Sequence, residues 1–170
     1  MINTISGKTQ WNCLFILPLA LLMLLSSCEE KTNTPVIVDY SVKETRDQFE
    51  LLKLDSVYTN LLGTEKDEAE ADSLYRSWLN FNRELAKMVR GKQFDWETAD
   101  STVILWNRVY CQPGGAIDYY FYYITDSVIN QQVGKEYGEF IGKHISGLKY
   151  PVVRNFKYSQ CGSYRHKNYD

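Results

Sequence analysis

Residues 102–111 read TVILWNRVYC, residues 112–115 read QPGG, and residues 116–124 read AIDYYFYYI. The two longer runs consist largely of β-branched and aromatic residues, which favour strands because they fill the pleated surface of a sheet. Between them, Pro113 presets φ and the two glycines accept positive φ, which is typical of a turn. The stretch therefore predicts a β-hairpin with strands at 102–111 and 116–124.

The second strand of this hairpin is rich in tyrosine. Since successive side chains of a strand point to opposite faces, Tyr119 and Tyr123 should share one face, and Tyr120 and Tyr122 the other. One pair is expected in the core, while the other is either covered by a helix or exposed. An exposed aromatic face is a natural platform for sugar rings or a protein partner, because tyrosine combines apolar area with a hydroxyl group. These four tyrosines are therefore candidate binding residues.

A helix is predicted after the hairpin, over residues 127–146, and a last strand at 151–161. Gly134, Gly138 and Gly142 repeat along the helix, although each glycine costs about 1 kcal/mol relative to alanine there. Two interpretations remain open. The glycines allow close packing on a bulky neighbour, with the aromatic face of the hairpin as the obvious candidate, or they line a groove for a partner helix. Under the second interpretation they are candidate binding residues.

Two helices are predicted before the hairpin. Apolar residues between positions 49 and 62 make one face of the first helix apolar, and Gly63 is placed to end this helix. The second can be capped by Thr64, carries its apolar stripe over 71–88, and ends at Gly91. The predicted fold class is α+β, with two N-terminal helices followed by a small antiparallel sheet in the order hairpin, helix, strand.

Composition fits one domain of this kind, predicted at 43–166 with a short tail at 167–170. The chain has 170 residues, of which 44% are hydrophobic, and a formal net charge of −2. A nucleic-acid-binding domain would carry a basic surplus, so no nucleic-acid partner is expected.

The start of the chain carries a predicted targeting signal. Lys8 is followed by an apolar stretch at 13–25, with Pro18 in its middle. Such a stretch forms about 20 Å of helix at ~1.5 Å per residue. That length falls short of the ~30 Å hydrocarbon layer of a bilayer and is typical of the core of a secretion signal.

Leu25-Ser26-Ser27-Cys28 follows that stretch and resembles the lipobox of bacterial lipoproteins. The resemblance implies a signal peptide at 1–27 and a mature chain that begins at Cys28, whose thiol carries a diacylglyceryl group with fatty acids such as palmitate. The protein would then contact the membrane through this lipid. Residues 28–42 are predicted as a tether, within which Val36-Ile37-Val38 could pair as a short strand.

Two acidic residues directly after the cysteine, Glu29 and Glu30, bear on the location. They resemble the surface-export signals of some Gram-negative lipoproteins, or they simply begin a solvated linker. The expected location is the cell envelope, at the outer membrane, on its periplasmic or its surface face.

The remaining cysteines and histidines suggest little further chemistry. With Cys28 lipidated, Cys111 and Cys161 sit at predicted strand ends and would form a disulfide in an oxidising compartment, with two free thiols as the alternative. Cys111 and Cys161, together with His144 and His166, are the two cysteines and two histidines that a tetrahedral zinc site uses. The closely spaced ligand pairs of such sites are missing from the sequence. The chain also contains no nucleophile elbow, zinc-protease motif or phosphate-binding glycine loop. No metal, no cofactor and no catalytic residue is therefore predicted.

The order of hairpin, helix and strand over about 100–161 is similar to the C-terminal domain of TonB-type energy transducers. The similarity lies in pattern rather than motif. The proline-rich, periplasm-spanning segment of that family is missing, and the lipid would place the chain on the other membrane, so an energy-transducing role is not expected. The sequence instead predicts a lipid-anchored binding or interaction module of the cell envelope, with an envelope protein or glycan as its partner. An enzyme acting on envelope polymers and a purely structural envelope protein are the alternatives.

Overall fold

The structure is a computed structural model that describes residues 34–167, so the predicted signal peptide and Cys28 lie outside the described residues. Its helices are α1 (Lys43–Glu50), α2 (Glu68–Gly91) and α3 (Gln131–His144), with 3₁₀ turns at Leu54–Ser56 and Ile145–Gly147. Its strands are β1 (Val36–Asp39), β2 (Thr59–Asn60), β3 (Thr102–Cys111), β4 (Ile117–Ile124) and β5 (Tyr158–Lys167).

These strands form one five-stranded mixed sheet in the order β1-β4-β3-β5-β2. The central strand β3 pairs antiparallel with β4 and β5, whereas β1 and β2 add parallel edges to β4 and β5. The predicted fold class, two N-terminal helices followed by a small antiparallel sheet, is therefore wrong. A strand, β1, precedes the helices, and the sheet has five strands and is mixed, because both of its edge strands pair parallel with their neighbours. β1 is the short strand that the tether segment allowed for, and it forms one of those edges.

The helix predicted over 49–62 is also wrong. α1 ends at Glu50, and Lys53 adopts φ 48°, a left-handed conformation that an α-helix cannot pass through. Leu54, Tyr58 and Leu61 are buried as the periodicity suggested, but they belong to a 3₁₀ turn and to the chain around β2. Apolar spacing of three and four residues reports burial on one side, and an irregular segment can satisfy it as well as a helix does.

α2 covers one face of the sheet, which we call the inner face. Asp67 caps this helix, since its side chain accepts a hydrogen bond from the Glu70 amide at 2.8 Å, so the helix begins three residues later than a Thr64 cap would allow. One stripe of the helix is buried against the sheet: Leu74, Trp78, Phe81, Leu85 and Val89. These five residues belong to the same core cluster as the inner-face residues of the sheet.

The predicted hairpin is confirmed by the register of β3 and β4, which runs from Leu105 opposite Ile124 to Cys111 opposite Ile117. The turn needs a glycine at position 115, where φ is 83°. A Cβ at this position would lie 2.2 Å from the Tyr150 carbonyl oxygen. The hairpin turn is thereby pinned to the segment that leads into β5.

The elements after the hairpin begin later than predicted. α3 begins after Asn130, whose side chain accepts a hydrogen bond from the Val133 amide at 2.9 Å. β5 runs from Tyr158 to Lys167 rather than over 151–161, and all ten of its residues pair with β3. The polar end of the chain is a strand because its side chains alternate, with His166 buried and Lys167 exposed.

The opposite side of the sheet, which we call the outer face, is only half covered. The ring of Phe49 in α1 packs edge-on against Phe121 of β4, at 5.3 Å between ring centres, and Tyr58 packs in the same way against Tyr110 at 5.2 Å. Among the residues that the structure describes, no such ring packs on the half formed by the start of β3 and the end of β5, and Arg165 there is exposed. Among residues 34–167, no helix has both the length and the apolar character needed to cross a bilayer.

Candidate functional site

The four candidate tyrosines divide between the two faces in the predicted pairs. Tyr120 and Tyr122 are buried on the inner face, whereas Tyr119 is half-buried on the outer face and Tyr123 keeps 43% of its surface exposed. Burial raises the pKa of Tyr120 to about 12, so its hydroxyl stays protonated in the core. Only Tyr123, and part of Tyr119, can therefore contact a ligand.

The three glycines of α3 face the sheet. A Cβ at Gly138 would lie 2.3 Å from the Tyr122 hydroxyl oxygen, and at Gly134 and Gly142 the nearest atoms would be 3.7 and 3.6 Å away. The Tyr122 hydroxyl also donates to the Gly134 carbonyl at 3.0 Å. Close packing on the aromatic face of the hairpin is thereby confirmed, and the sheet occupies the side of α3 that a partner helix would need.

Cys111 and Cys161 are free thiols, and the predicted disulfide between them is not formed. In the register of β3 and β5, Cys111 lies opposite Tyr158 and Cys161 lies opposite Arg108. Because these pairs are an odd number of positions apart, strand alternation directs the two thiols to opposite faces. Burial raises the pKa of both thiols, so both are protonated near neutral pH. No group of three or more metal-binding side chains comes together within residues 34–167.

An aromatic groove lies on the outer face, where the cover formed by α1 and the first 3₁₀ turn ends. We call it the outer groove and define it by six residues: Tyr40, Phe49, Trp106, Arg108, Tyr110 and Phe121. It encloses about 150 Å³. Trp106, Arg108 and Tyr110 alternate along β3, so all three side chains point to this face.

Tyr40 forms the wall of the groove on the β1 side. Its amide donates to the Tyr122 carbonyl at 2.8 Å, which keeps the residue in line with the sheet after β1 ends. Its ring stacks on Phe121 at 5.9 Å and contacts Trp106 at 5.7 Å, both measured between ring centres. Two aromatic faces are thus held in place before any ligand arrives.

Arg108 provides the fixed charge at the floor of the groove. Its Nη2 donates to Asp55 Oδ1 at 2.5 Å and to Ser159 Oγ at 3.2 Å, and its Nη1 lies 3.3 Å from Asp55 Oδ2. The guanidinium carbon also lies 4.7 Å from the centre of the Tyr110 ring. Burial raises the pKa of Tyr110, whose hydroxyl therefore remains a donor and donates to Asp55 Oδ1 at 3.1 Å. Asp55 is thus oriented by two side chains while 68% of its own side chain stays exposed.

A second depression adjoins the first and shares Tyr40 and Trp106 with it. It is wider, at about 390 Å³, and is completed by Ser41, Arg46 and Tyr123. The Arg46 guanidinium lies 5.7 Å from the centre of the Tyr40 ring. The two depressions therefore form one continuous surface on both sides of the Tyr40–Trp106 pair, which suits a chain-like ligand better than a compact one.

The outer groove carries charged side chains as well as aromatic ones, since Glu50, Lys53 and Asp55 also line it. Among the described residues that line its 150 Å³ depression there is no histidine, cysteine or serine. Aromatic faces can stack on the apolar face of a sugar ring, and a planar carboxylate or guanidinium group can form paired hydrogen bonds with neighbouring hydroxyls. The arrangement is therefore suited to recognition of a saccharide.

Sequence reasoning missed most of this groove. Trp106 and Arg108 alternate with buried Leu105 and Val109 on β3, so their outward direction was available from the pattern. Tyr40 and Asp55 lie in irregular segments, where no sequence periodicity indicates which way a side chain points. No protein-family model matches the chain, and neither a curated protein sequence nor a solved structure matches it.

Proposed function

We propose that this protein is a lipid-anchored module of the cell envelope that binds an envelope glycan in the outer groove. One observation supports the proposal: two half-buried aromatic rings, those of Tyr40 and Trp106, lie directly beside the ordered pair of Arg108 and Asp55. The part of each ring that remains at the surface can contact the apolar face of a sugar. The polar pair beside it would orient the ligand.

The depression next to Arg108 is too small for a drug-sized ligand and has room for one unit of a polymer. Drug-sized ligands occupy pockets of roughly 300–1,000 Å³, whereas the depression next to Arg108 holds about 150 Å³. The wider depression beyond Trp106 offers room for a neighbouring unit. A glycan chain lying across the Tyr40–Trp106 pair would use both depressions, with one ring on each side.

Geometry also limits the cost of binding. Arg108 is only 17% exposed and is held by Asp55 and Ser159, so it loses little rotamer freedom when a ligand arrives. Ordering a long side chain costs about 0.5–1.5 kcal/mol on binding, and a side chain that is already ordered avoids that cost.

The anchor is the second part of the proposal, and the lipobox-like sequence Leu25-Ser26-Ser27-Cys28 supports it. Each buried methylene of a fatty acyl chain contributes about 0.8 kcal/mol, and two or more chains anchor a protein stably. With the domain attached through residues 28–35, the outer groove would stay close to the membrane that holds it. Membrane and envelope glycan would then be bridged by one small protein.

Co-sedimentation of the detergent-solubilised full chain with purified peptidoglycan sacculi tests the groove. Trp106→Leu should weaken binding about tenfold, the equivalent of losing one well-placed ring contact. Tyr75→Leu is the matched control, because Tyr75 is an aromatic residue with 60% exposure on α2, on the other side of the sheet. Arg108→Lys, which keeps the charge but not the paired geometry, should also weaken binding. Equal sedimentation of wild type and Trp106→Leu, with thermal melts confirming that both are folded, would refute the glycan site.

Fractionation of cells that express Cys28→Ser tests the anchor separately. We expect the wild-type protein in the membrane fraction with an intact mass that includes the lipid, and the variant without either. Protease treatment of intact cells then reports whether the domain faces the periplasm or the surface. An unchanged membrane fraction for Cys28→Ser would contradict the anchor and leave the groove experiment unaffected.

A further inference from the structure

One edge of the sheet is left open for most of its length. β2 pairs only with the first two residues of β5, placing Thr59 opposite Tyr158 and Asn60 opposite Ser159. β5 then continues to Lys167, and on its other side it pairs with β3 along its whole length. Within residues 34–167, the stretch from Cys161 to Lys167, which we call the β5 edge, therefore has a neighbouring strand on one side only.

The hydrogen-bond pattern shows which backbone groups face outward along this edge. The carbonyl of Lys157 accepts from the Thr59 amide at 3.0 Å, and the carbonyl of Ser159 accepts from the Leu61 amide at 2.9 Å. Odd-numbered residues thus direct their backbone groups away from β3, and strand geometry continues that alternation. The amides and carbonyls of residues 161, 163, 165 and 167 consequently point outward, and no backbone–backbone hydrogen bond within residues 34–167 occupies them.

Such a row of outward backbone groups is a template for another strand. Natural proteins bind extended peptides in this way, with main-chain hydrogen bonds supplying affinity and alternate side chains supplying specificity. The β5 edge covers seven residues, about 23 Å at ~3.3 Å per residue. It is accessible, because Ser163, Arg165 and Lys167 are all exposed.

Charge selects the kind of strand that fits. The side chains of the odd-numbered residues of β5 point to the outer face. There Arg165 lies opposite Ile104 of β3, and Lys167 lies opposite Thr102. The strand residues at this end of the outer face thus carry two cations and no carboxylate. Opposite charges on neighbouring strands stabilise a sheet, and like charges destabilise it. A second copy of this chain would bring two further cations to the same junction.

We propose that the β5 edge binds an extended acidic segment of another protein by strand addition, with acidic residues two positions apart opposite Arg165 and Lys167. The added strand would continue the sheet where β2 stops and would lie beside the open part of the outer face. Its other side chains would point to the inner side, next to Gly162 and Tyr164. This site is independent of the outer groove and of the lipid anchor.

The probe for this site is a pair of synthetic fluorescent heptapeptides, Thr-Glu-Val-Glu-Val-Thr-Val and its counterpart with lysine in place of both glutamates. Fluorescence anisotropy with the full chain in detergent should show the acidic peptide binding at least about tenfold more tightly than the basic one, as two reversed cross-strand pairs imply. The double substitution Arg165→Glu with Lys167→Glu should reverse that preference. Absence of acidic-peptide binding at millimolar protein, or equal binding of the two peptides, would overturn the proposal.

Ser163→Pro separates strand addition from simple charge attraction. Proline is tolerated on an edge strand when its missing amide faces away from the sheet, as the amide of residue 163 does, so the pairing of β5 with β3 remains. We expect this variant to melt within a few degrees of wild type and to lose acidic-peptide binding, whereas Ser163→Ala retains it. Undiminished binding by Ser163→Pro would refute strand addition. Sedimentation that shows a dimer abolished by the proline would refute a foreign partner in favour of a second copy.

Discussion

Gly138 offers the sharpest test of how α3 packs on the sheet. A Cβ at this position would lie 2.3 Å from the Tyr122 hydroxyl oxygen, 3.1 Å from Cζ and 3.2 Å from Cε1 of the same ring. Non-bonded carbon atoms prefer about 3.5–4.0 Å, so Gly138→Ala must displace the ring by more than an ångström. The ring is buried and its hydroxyl donates to the Gly134 carbonyl at 3.0 Å, so the displacement also breaks that hydrogen bond.

Three contributions determine the size of the effect. Alanine in place of glycine favours the helix by about 1 kcal/mol. Overpacking of a core costs about 1–3 kcal/mol, and a buried hydroxyl that loses its partner costs about 1–3 kcal/mol more. We therefore expect Gly138→Ala to lower the free energy of unfolding by about 3 kcal/mol. Gly142→Ala is the matched control, since its Cβ would lie an ordinary 3.6 Å from Ile37, and it should raise stability by up to about 1 kcal/mol.

Urea unfolding of the full chain, followed by circular dichroism, measures both changes. The background Tyr122→Phe removes the closest atom, so Gly138→Ala should cost at least about 1 kcal/mol less there than in wild type, because contacting residues are energetically coupled. The reasoning is refuted if Gly138→Ala is as stable as Gly142→Ala, or if Tyr122→Phe leaves its cost unchanged.

Three other changes test the inner core. Burial lowers the pKa of His166 from 6.5 to about 4, so the unfolded chain binds a proton over a range in which the folded one does not. The free energy of unfolding should therefore fall by about 3 kcal/mol between pH 7 and pH 4, and less in His166→Phe; equal falls in urea titrations would contradict this. Gly115→Ala should destabilise by about 2–4 kcal/mol through a left-handed φ and a backbone clash, whereas Gly114→Ala, with open space around it, should melt like wild type. Asn82→Leu removes a 2.9 Å acceptor from the buried Asn107 amide and should cost about 1–3 kcal/mol in the same assay.

Sequence reasoning predicted elements whose pattern is long and local. β3 and β4 together contain eighteen residues joined by a recognisable turn, and their alternation was sufficient for pairing and for the two tyrosine faces. The α3 glycines gave a second correct inference, because three of them in one helix require a close neighbour. Each of these signals lies within one or two adjacent elements.

The remaining features depend on contacts that are distant in sequence. β1 pairs parallel with β4, and its four residues are too few to reveal which strand they join. Arg108 and Asp55 are 53 positions apart, and nothing near either residue specifies the other. The predicted disulfide between Cys111 and Cys161 is wrong for a related reason. Two strand ends can be neighbours in a sheet while their side chains point to opposite faces.

The mistaken helix and the outer groove have the same physical origin. A continuous helix over 49–62 would extend about 21 Å and could lie across the outer face of β3. Instead α1 ends at Glu50, and Lys53 turns the chain with a left-handed φ. The 3₁₀ turn that follows brings Asp55 to Arg108 and leaves Trp106 only partly covered. The apolar residues of segment 49–62 therefore pack into a small outer core. Part of the aromatic surface stays uncovered next to the ordered pair of Arg108 and Asp55, and the proposed glycan site requires this combination.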